Sequence, residues 1–216
     1  VMGLGKWQEK QDWPLTWIQC TKEIKVLGFI VCPQYSDTLC ATWDSVFRGF
    51  QRTLFAWESR SLSTLQQRVT VSQIFALSKL WYAAQVLPLP NSIVKKIESS
   101  LSSFIFQGRP ERLKLSELEN TVEQGGLGLI CVATKSQCLL LRQGLRILEK
   151  PGRNSYCHLG YWLGQSLGEP FPRLLEEGQV NRGQLKQYPL HSAMLEALEE
   201  GFYREEFNPK KLQEAT

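Results

Sequence analysis

The side chains best suited to chemistry in this sequence are the lysines and arginines of its middle third. Residues 41–150 contain fourteen Lys/Arg against eight Asp/Glu, whereas residues 1–40 hold four of each and residues 151–216 hold seven against nine. Only the middle third therefore has a surplus of positive charge to offer an anionic polymer. The net charge of +4 is mild, and composition alone favours the alternative, a helical exterior that is simply solvated.

Nine of these cations are candidates for contacts with phosphate groups. Arg48 and Arg52 lie one helical turn apart and could reach neighbouring phosphates. Arg60 and Arg68 flank the predicted start of a second helix, whose free amides would add an anion site. The others lie early in a third helix or in the basic loop after it. The full set is Arg48, Arg52, Arg60, Arg68, Lys95, Lys96, Arg109, Arg112 and Lys114.

Other kinds of chemistry find little support in the sequence. The six cysteines include no C-x-x-C pair, and the two histidines lie far from any zinc-like spacing, so we expect no metal site. Residues 125–129 are rich in glycine but lack the Lys-Ser/Thr of a nucleotide-binding loop, and we expect a tight turn there. Cys157 and His158 are adjacent, so their side chains would diverge and would not form a nucleophile and its base.

The compartment follows from two absent patterns. No continuous apolar run of about 18 residues occurs, and the N-terminus lacks the features of a secretory signal. We therefore expect reduced cysteines, an intracellular location, either nuclear or cytoplasmic, and no membrane contact. Because residue 1 is valine, we also expect the sequence to be a piece of a longer protein.

Helices must position most of the candidate cations. Residues 41–108 predict a three-helix bundle, because each of three segments has one apolar face at spacings of three and four. The second segment begins with a capping box at Ser63 and Gln66, and the third has Asn91 or Ser92 as its N-cap. The apolar faces are Trp43, Val46, Phe47, Phe50, Leu54 and Trp57 in the first segment, Leu65, Val69, Ile74, Leu77, Leu80 and Trp81 in the second, and Ile93, Val94, Ile97, Leu101, Phe104 and Ile105 in the third.

The remaining regions surround this bundle. Residues 1–40 end in the best strand candidate, residues 23–33, in which Gly28 marks a bulge or a close backbone approach. Residues 109–152 contain the basic loop, a short helix capped by Ser116, the glycine-rich turn, and a long helix over 131–149 with Cys138 on its apolar side. Residues 153–216 are acidic and predict a helical linker with a last amphipathic helix from about His191 to Glu206. The fold class is thus mainly α with a short N-terminal β element.

Several short motifs in a fixed order resemble a known family. They are Gly3-Leu4-Gly5-Lys6-Trp7, Ile24-Lys25-Val26-Leu27-Gly28, Trp57 with Arg60-Ser61-Leu62-Ser63, Lys79-Leu80-Trp81-Tyr82, Leu87-Pro88-Leu89-Pro90, Phe104-Ile105-Phe106-Gln107-Gly108 and Gly125-Gly126-Leu127-Gly128-Leu129. Over residues 1 to about 148, their order and spacing resemble the region after the catalytic motif in reverse transcriptases of non-LTR (LINE-type) retrotransposons.

The resemblance implies a role for each region. Residues 1–40 would be the end of the palm, residues 41–108 the thumb, residues 109–152 the connection beyond it and residues 153–216 a linker. Leu27-Gly28 would occupy the primer grip, a strand turn that sets the primer end against the palm. The thumb helices would lie along an RNA/DNA primer-template, which proteins read mainly through its backbone and shallow minor groove. Gly28 therefore joins the nine cations as a candidate contact, because a side chain there would hold nucleic acid at a distance.

The catalytic residues of such a polymerase are missing. Polymerisation needs paired aspartates that hold Mg²⁺, and this chain has only Asp12, Asp37 and Asp44, none adjacent to another. We therefore predict no catalytic residue, no cofactor and no polymerase activity in this chain alone, with Mg²⁺ bound by an upstream palm of the parent protein. The expected partners are the RNA/DNA primer-template and that palm. The alternative is a helical protein-interaction module derived from such an element, without a role in nucleic-acid binding.

Overall fold

A computed structural model of the chain describes residues 22–60, 62–109, 113–149, 192–194 and 196–197. Predictions for the N-terminal motif, Arg112, the Cys157-His158 pair, and most of residues 153–216 lie outside these ranges. Of the predicted last helix, residues 192–194 and 196–197 are helical, and Met194 is buried.

Within the described residues the fold is mainly helical with one two-stranded antiparallel sheet, which confirms the predicted fold class at this level. A π-helical segment, Ser72–Leu77, joins α2 directly to α3, and a 3₁₀ turn, Val122–Gln124, follows α5. The elements in chain order are β1 (Ile24–Val26), β2 (Phe29–Val31), α1 (Tyr35–Glu58), α2 (Leu65–Val71), α3 (Ser78–Ala84), α4 (Asn91–Phe106), α5 (Leu115–Glu119) and α6 (Val132–Glu149).

The chain divides into two compact units. The first runs to Ala83 and resumes from Leu89 to Cys131, and the second comprises Ala84–Pro88 and the chain from Val132 onward. The first unit contains the hairpin, α1, α2, the π segment, α4 and α5. The second contains α6, in which the Gln143 amide donates to the Gln85 side-chain oxygen over 3.4 Å.

The predicted single strand is a hairpin. Strands β1 and β2 pair antiparallel with Val26 opposite Phe29, so Leu27 and Gly28 form the turn between them. Both have positive φ, 49° and 88°, as the two central residues of a type I′ turn require. The prediction of one strand with a bulge at Gly28 is therefore wrong, because the glycine reverses the chain.

Two threonines on the first turns of α1 attach this hairpin to the helix. The Thr42 hydroxyl accepts from the Ile30 N–H over 3.0 Å and donates to the Ile30 carbonyl over 3.2 Å. One turn earlier, the Thr38 hydroxyl makes the same pair of bonds with Cys32, at 2.8 and 3.2 Å. The backbone N–H and carbonyl groups of Ile30 in β2 and of Cys32 just after it are thereby satisfied by side chains four residues apart on one helix face.

Three helices share the core of the first unit. Helix α1 contacts the π segment and α4, and α2 also contacts α4. The fully buried side chains include Trp43 and Phe50 of α1, Leu77 of the π segment, and Ile97 of α4. All six residues of the apolar face predicted for the third segment are buried, as expected. In the first segment Trp43, Phe50 and Leu54 are buried, whereas Val46, Phe47 and Trp57 are only partly buried.

The second segment differs from its prediction in two ways. Its N-cap is Thr64, whose hydroxyl accepts from the Gln67 N–H over 3.2 Å while the Gln67 side chain accepts from the Thr64 N–H over 3.3 Å. The capping box therefore lies one residue after the predicted Ser63 and Gln66. In addition, Leu65 and Trp81 are only partly buried, and Ile74 is 58% exposed. Ile74 is exposed because the buried positions 69, 72, 76 and 80 recur at spacings of three and four and it falls between them.

Two other predicted caps are also wrong. The N-cap of α4 is Pro90, whose extended backbone lets its carbonyl accept from the Ile93 and Val94 amides at 2.9 and 3.0 Å. Neither Asn91 nor Ser92 is needed for this. Helix α5 has Lys114 as its N-cap, without a side-chain hydrogen bond, so its cap lies two residues before the predicted cap Ser116.

The glycine-rich segment is the tight turn that the sequence predicts. The N–H groups of Leu127 and Leu129 both donate to the Leu118 carbonyl, at 3.1 and 2.9 Å, and Leu129 is buried. Gly126 lies so close to Asn120 that a Cβ there would overlap the Asn120 carbonyl. In α6, however, Cys138 is exposed rather than on the buried face, which contains Val132, Ser136, Leu139 and Leu140.

Candidate nucleic-acid interface

The outer face of α1 presents two of the predicted cations. Arg48 and Arg52 are exposed on the side opposite the buried Trp43 and Phe50, so their shared face, as predicted, points to solvent. Phe55 lies on the same side, three residues after Arg52, and is 76% exposed. We call Arg48, Gln51, Arg52 and Phe55 the outer face of α1.

A second surface combines an arginine with two aromatic rings. The guanidinium carbon of Arg60 lies 4.3 Å from the centre of the Trp57 ring, within cation–π range. The Trp57 ring lies 4.8 Å from that of Phe75, centre to centre and tilted by 31°. Phe75 belongs to the π segment and remains 44% exposed. We call Trp57, Arg60 and Phe75 the Trp57 cluster.

The sequence analysis missed both aromatic contributions. Phe55 could have been found, because its spacing of three from Arg52 and seven from Arg48 places it on the polar face of α1. Phe75 gave no comparable signal. Its contact with Trp57 joins two helices that are separated in sequence, so only the tertiary structure places the two rings together.

The charge around these surfaces is mostly positive. Residues 41–100 contain seven Lys/Arg and three acidic residues, Asp44, Glu58 and Glu98, and the exposed Asp44 lies one turn before Arg48 on α1. Such an imbalance produces a positive potential that attracts anions over distances comparable to the Debye length, about 8 Å in physiological salt. The cations are Arg48, Arg52, Arg60, Arg68, Lys79, Lys95 and Lys96.

Arg68 is less available than predicted. Its side chain is half-buried, and its Nε–H donates to the Thr64 carbonyl of its own helix over 3.3 Å. The capping box also occupies the amides of Thr64 and Gln67, which the prediction had left free for an anion. The start of α2 is therefore not the open anion site that the sequence suggested.

The other predicted cations lie on separate elements. Lys95 and Lys96 are exposed near the start of α4, Arg109 is exposed just after its end, and Lys114 is exposed as the N-cap of α5. Arg112 lies outside the described residues. Among the described candidates, the local structure therefore brings together Arg48 with Arg52, and Arg60 with two aromatic rings.

Gly28 lies in the exposed turn of the β1–β2 hairpin. A Cβ at this position would be 3.8 Å from Cε1 of Tyr82, an ordinary contact. Positive φ, rather than lack of space, therefore explains the glycine. Its neighbour Leu27 is 81% exposed and has an unfavourable left-handed backbone for a residue with a Cβ.

The two aspartates that the structure describes do not fit a catalytic Mg²⁺ pair. Asp37 and Asp44 are exposed and lie seven residues apart on α1, which corresponds to about 10 Å along a helix axis. A single Mg²⁺ binds its ligands at about 2.1 Å, so these two carboxylates would not share one ion. Across the described part of the chain, no three His, Cys, Asp or Glu side chains form a group that could hold a metal.

Among the described residues of the first unit, Glu119 and Tyr35 have shifted pKa values, and both lie outside the basic surfaces. Burial raises the pKa of Glu119. A hydrogen bond with the Cys131 side chain lowers this pKa, and the nearby Glu98 raises it further. Burial likewise raises the pKa of Tyr35, whose hydroxyl has no hydrogen-bond partner among the described residues.

Comparison of the chain with models of known protein families and with curated proteins gives no match. None of the helices that the structure describes is both long and apolar enough to span a membrane.

Proposed function

We propose that this chain is the non-catalytic thumb and connecting part of a non-LTR retrotransposon reverse transcriptase, an RNA-directed DNA polymerase, and that it binds the RNA/DNA primer-template through phosphate contacts. The observation that carries the proposal is the outer face of α1. Arg48 and Arg52 are exposed there, one turn apart, within residues 41–100, which contain seven Lys/Arg and three Asp/Glu.

The physical properties of this surface suit a helical duplex. Arginine donates two parallel hydrogen bonds to phosphate, and α1 holds its two arginines at a fixed spacing because the opposite face is buried in the core. Contacts of this kind read the backbone and carry no base sequence. An A-like heteroduplex offers mainly its backbone and minor groove, so the surface matches what such a ligand presents.

The hairpin supports the same proposal. In the resembling family the primer grip is a strand turn that precedes the thumb, and Leu27-Gly28 is a strand turn that precedes α1. Thr38 and Thr42 fix this turn to the first helix of the bundle. The turn and the helix would therefore contact a primer-template as one body.

The test is the affinity of the 216-residue chain for an RNA/DNA heteroduplex and for a single strand, titrated from low to physiological salt. We expect the heteroduplex to bind more tightly, with a log–log salt slope that corresponds to about four to eight phosphate contacts. The double variant Arg48→Ala/Arg52→Ala should reduce the slope by about two, since each lost phosphate contact removes about one.

A matched control is Lys135→Ala/Arg142→Ala, which removes two exposed cations from α6. This variant should leave the slope close to that of the parent chain. Weak binding without heteroduplex preference and with almost no slope would refute the proposal. Equal losses in the two double variants would show that net charge, rather than the outer face of α1, determines binding.

A protein-interaction module is the second candidate. It is favoured by exposed apolar side chains in the described part of the chain, which include Phe55, Ile74 and Val122 at 76, 58 and 71% exposure. Such side chains are common at protein interfaces. Binding of this type would depend little on salt, so the same titration distinguishes the two candidates.

A further inference from the structure

The Trp57 cluster has an exposed aromatic surface, which contacts with phosphate groups would not use. Resting on the function proposed above, we propose that Phe75 stacks an unpaired nucleobase next to the bound duplex and that Arg60 contacts the phosphate of the same strand. The site would thus select a single-stranded extension of the primer-template.

The π segment explains why Phe75 is both exposed and held in place. Ser72, Ala76 and Leu77 of this segment are buried in the core, whereas Ile74 and Phe75 are 58 and 44% exposed. The partly buried Trp57 supports the Phe75 ring from α1 at 4.8 Å. A π-helical turn within an α-helix is often found at functional sites, and here it presents an aromatic ring to solvent from a rigid element.

Arg60 is oriented for a phosphate by its own contact. Its guanidinium lies over the Trp57 ring at 4.3 Å, and the hydrogen-bond donors of a guanidinium lie in its plane. A group stacked by its face can still donate from its edge. The exposed Arg60 would therefore keep its geometry when it binds an anion.

Charge and shape identify the occupant as a single strand of nucleic acid. Residues 41–100 around the cluster contain seven cations and three acids, one of which, Glu58, adjoins Trp57. This positive surplus favours a polyanion. Inside a duplex both faces of each base are already stacked on neighbouring bases, so away from the duplex end a flat aromatic ring can stack only on an unpaired base. Proteins that bind single strands combine these two features, a cationic path and aromatic rings.

The experiment compares three ligands with the full chain at one salt concentration. The first is a blunt RNA/DNA heteroduplex, the second the same duplex with a single-stranded extension of about four nucleotides, and the third has abasic sites in that extension. We expect the ligand with the normal extension to bind about fivefold or more tightly than either of the other two ligands. A gain of about fivefold corresponds to the lower end of the range for stacking of one base on an aromatic side chain.

Variants assign this gain to the cluster. Phe75→Leu keeps an apolar side chain against Trp57 but removes the ring, and should abolish the gain from the extension while leaving blunt-duplex affinity unchanged. Arg60→Lys should reduce the gain in part, because lysine keeps the charge without the planar stack. Ile74→Ala is the matched control, since this neighbour is more exposed than Phe75 and should retain the full gain. Circular dichroism checks that each variant is folded.

The outcomes separate the two proposals. Salt-dependent binding of the blunt duplex without any gain from the extension would refute the stacking site and leave the proposed function intact. A Phe75-dependent gain with no binding of the blunt duplex would support the stacking site and refute the proposed function. An abasic extension that binds as tightly as the normal one, or a gain that survives Phe75→Leu, would also refute the stacking site.

Discussion

At the scale of the residue, Gly126 shows how a single missing side chain allows two segments to meet. Its N–H donates to the Thr121 carbonyl over 2.9 Å, and the neighbouring Gly128 N–H donates to the Asn120 carbonyl, also over 2.9 Å. The turn is thus folded back on the end of α5, and no space remains for a Cβ at Gly126.

We expect Gly126→Ala to lower the free energy of unfolding by about 1–3 kcal/mol, because the new methyl group would overlap the backbone of Asn120. Gly49→Ala is the control. Gly49 lies within α1 with no atom near the position of a Cβ, so alanine there should stabilise by up to about 1 kcal/mol through helix propensity. Urea unfolding measures both, and a loss for Gly49→Ala as large as that for Gly126→Ala would contradict this explanation.

Glu119 makes stability depend on pH. Because burial raises its pKa above the ordinary value of 4.5, the folded state holds this proton more strongly than the unfolded state does. Stability is therefore lost as the pH rises from below 4.5 through the higher pKa of the folded state. The glutamate is partly solvated, so the effect should be less than about 1 kcal/mol.

The variant Glu119→Gln should remove this loss. We expect it to be more stable than the parent chain at pH 7, with the difference disappearing below about pH 4, where both side chains are neutral. Urea midpoints across this range test the expectation. Glu117→Gln on the same short helix is the control, and an identical pH profile for the two variants would argue against a special role of Glu119.

At the scale of the element, the start of α2 offers a choice between two adjacent hydroxyl residues. The Thr64 hydroxyl accepts a hydrogen bond from the backbone N–H of Gln67. The Ser63 hydroxyl instead lies 3.4 Å from the Gln67 side-chain oxygen, a contact that caps no backbone N–H. We expect Thr64→Ala to cost about 1 kcal/mol and Ser63→Ala to cost little, as measured by urea unfolding. A larger loss of stability for Ser63→Ala than for Thr64→Ala would instead indicate that Ser63 is the N-cap, as the sequence predicts.

The spacing of apolar residues predicts which helix faces are buried. The faces of α1 and α4 follow from it, because burial of one helix face requires apolar residues every three or four positions. The exposed position of Arg48 and Arg52 follows from the same argument. The cap of α2 could not be assigned, since both Ser63 and Thr64 have the right chemistry and only the path of the chain chooses between them.

The remaining differences come from backbone geometry and tertiary contacts. Gly28 suits a bulge and a tight turn equally well, because both use positive φ, so the hairpin was not distinguishable from one long strand. The π segment has no simple residue pattern. The Trp57 cluster joins α1 to that segment, and spacing along one helix does not predict which side chains of another helix lie opposite.

At the scale of the whole molecule, basic surfaces occur without a metal centre in the described residues. We expect purified chain to incorporate no nucleotide on an RNA/DNA primer-template with Mg²⁺, since Asp37 and Asp44 lie too far apart to share an ion. A gel assay for primer extension measures this, with a known reverse transcriptase as the positive control and heteroduplex binding by the same sample as evidence of folding. Clear incorporation by this chain would contradict the prediction.

The π segment has a consequence for how the length of the protein can vary. A π turn contains one residue more than an α turn, because its hydrogen bonds span five residues rather than four. Deleting Ile74 would therefore convert the segment to ordinary α-helix and leave the directions of α2 and α3 nearly unchanged. The same deletion within α4 would rotate every later side chain by about 100° and turn its apolar face away from the core. The helix from Leu65 to Ala84 thus contains a position where the chain can lose one residue and still keep its core.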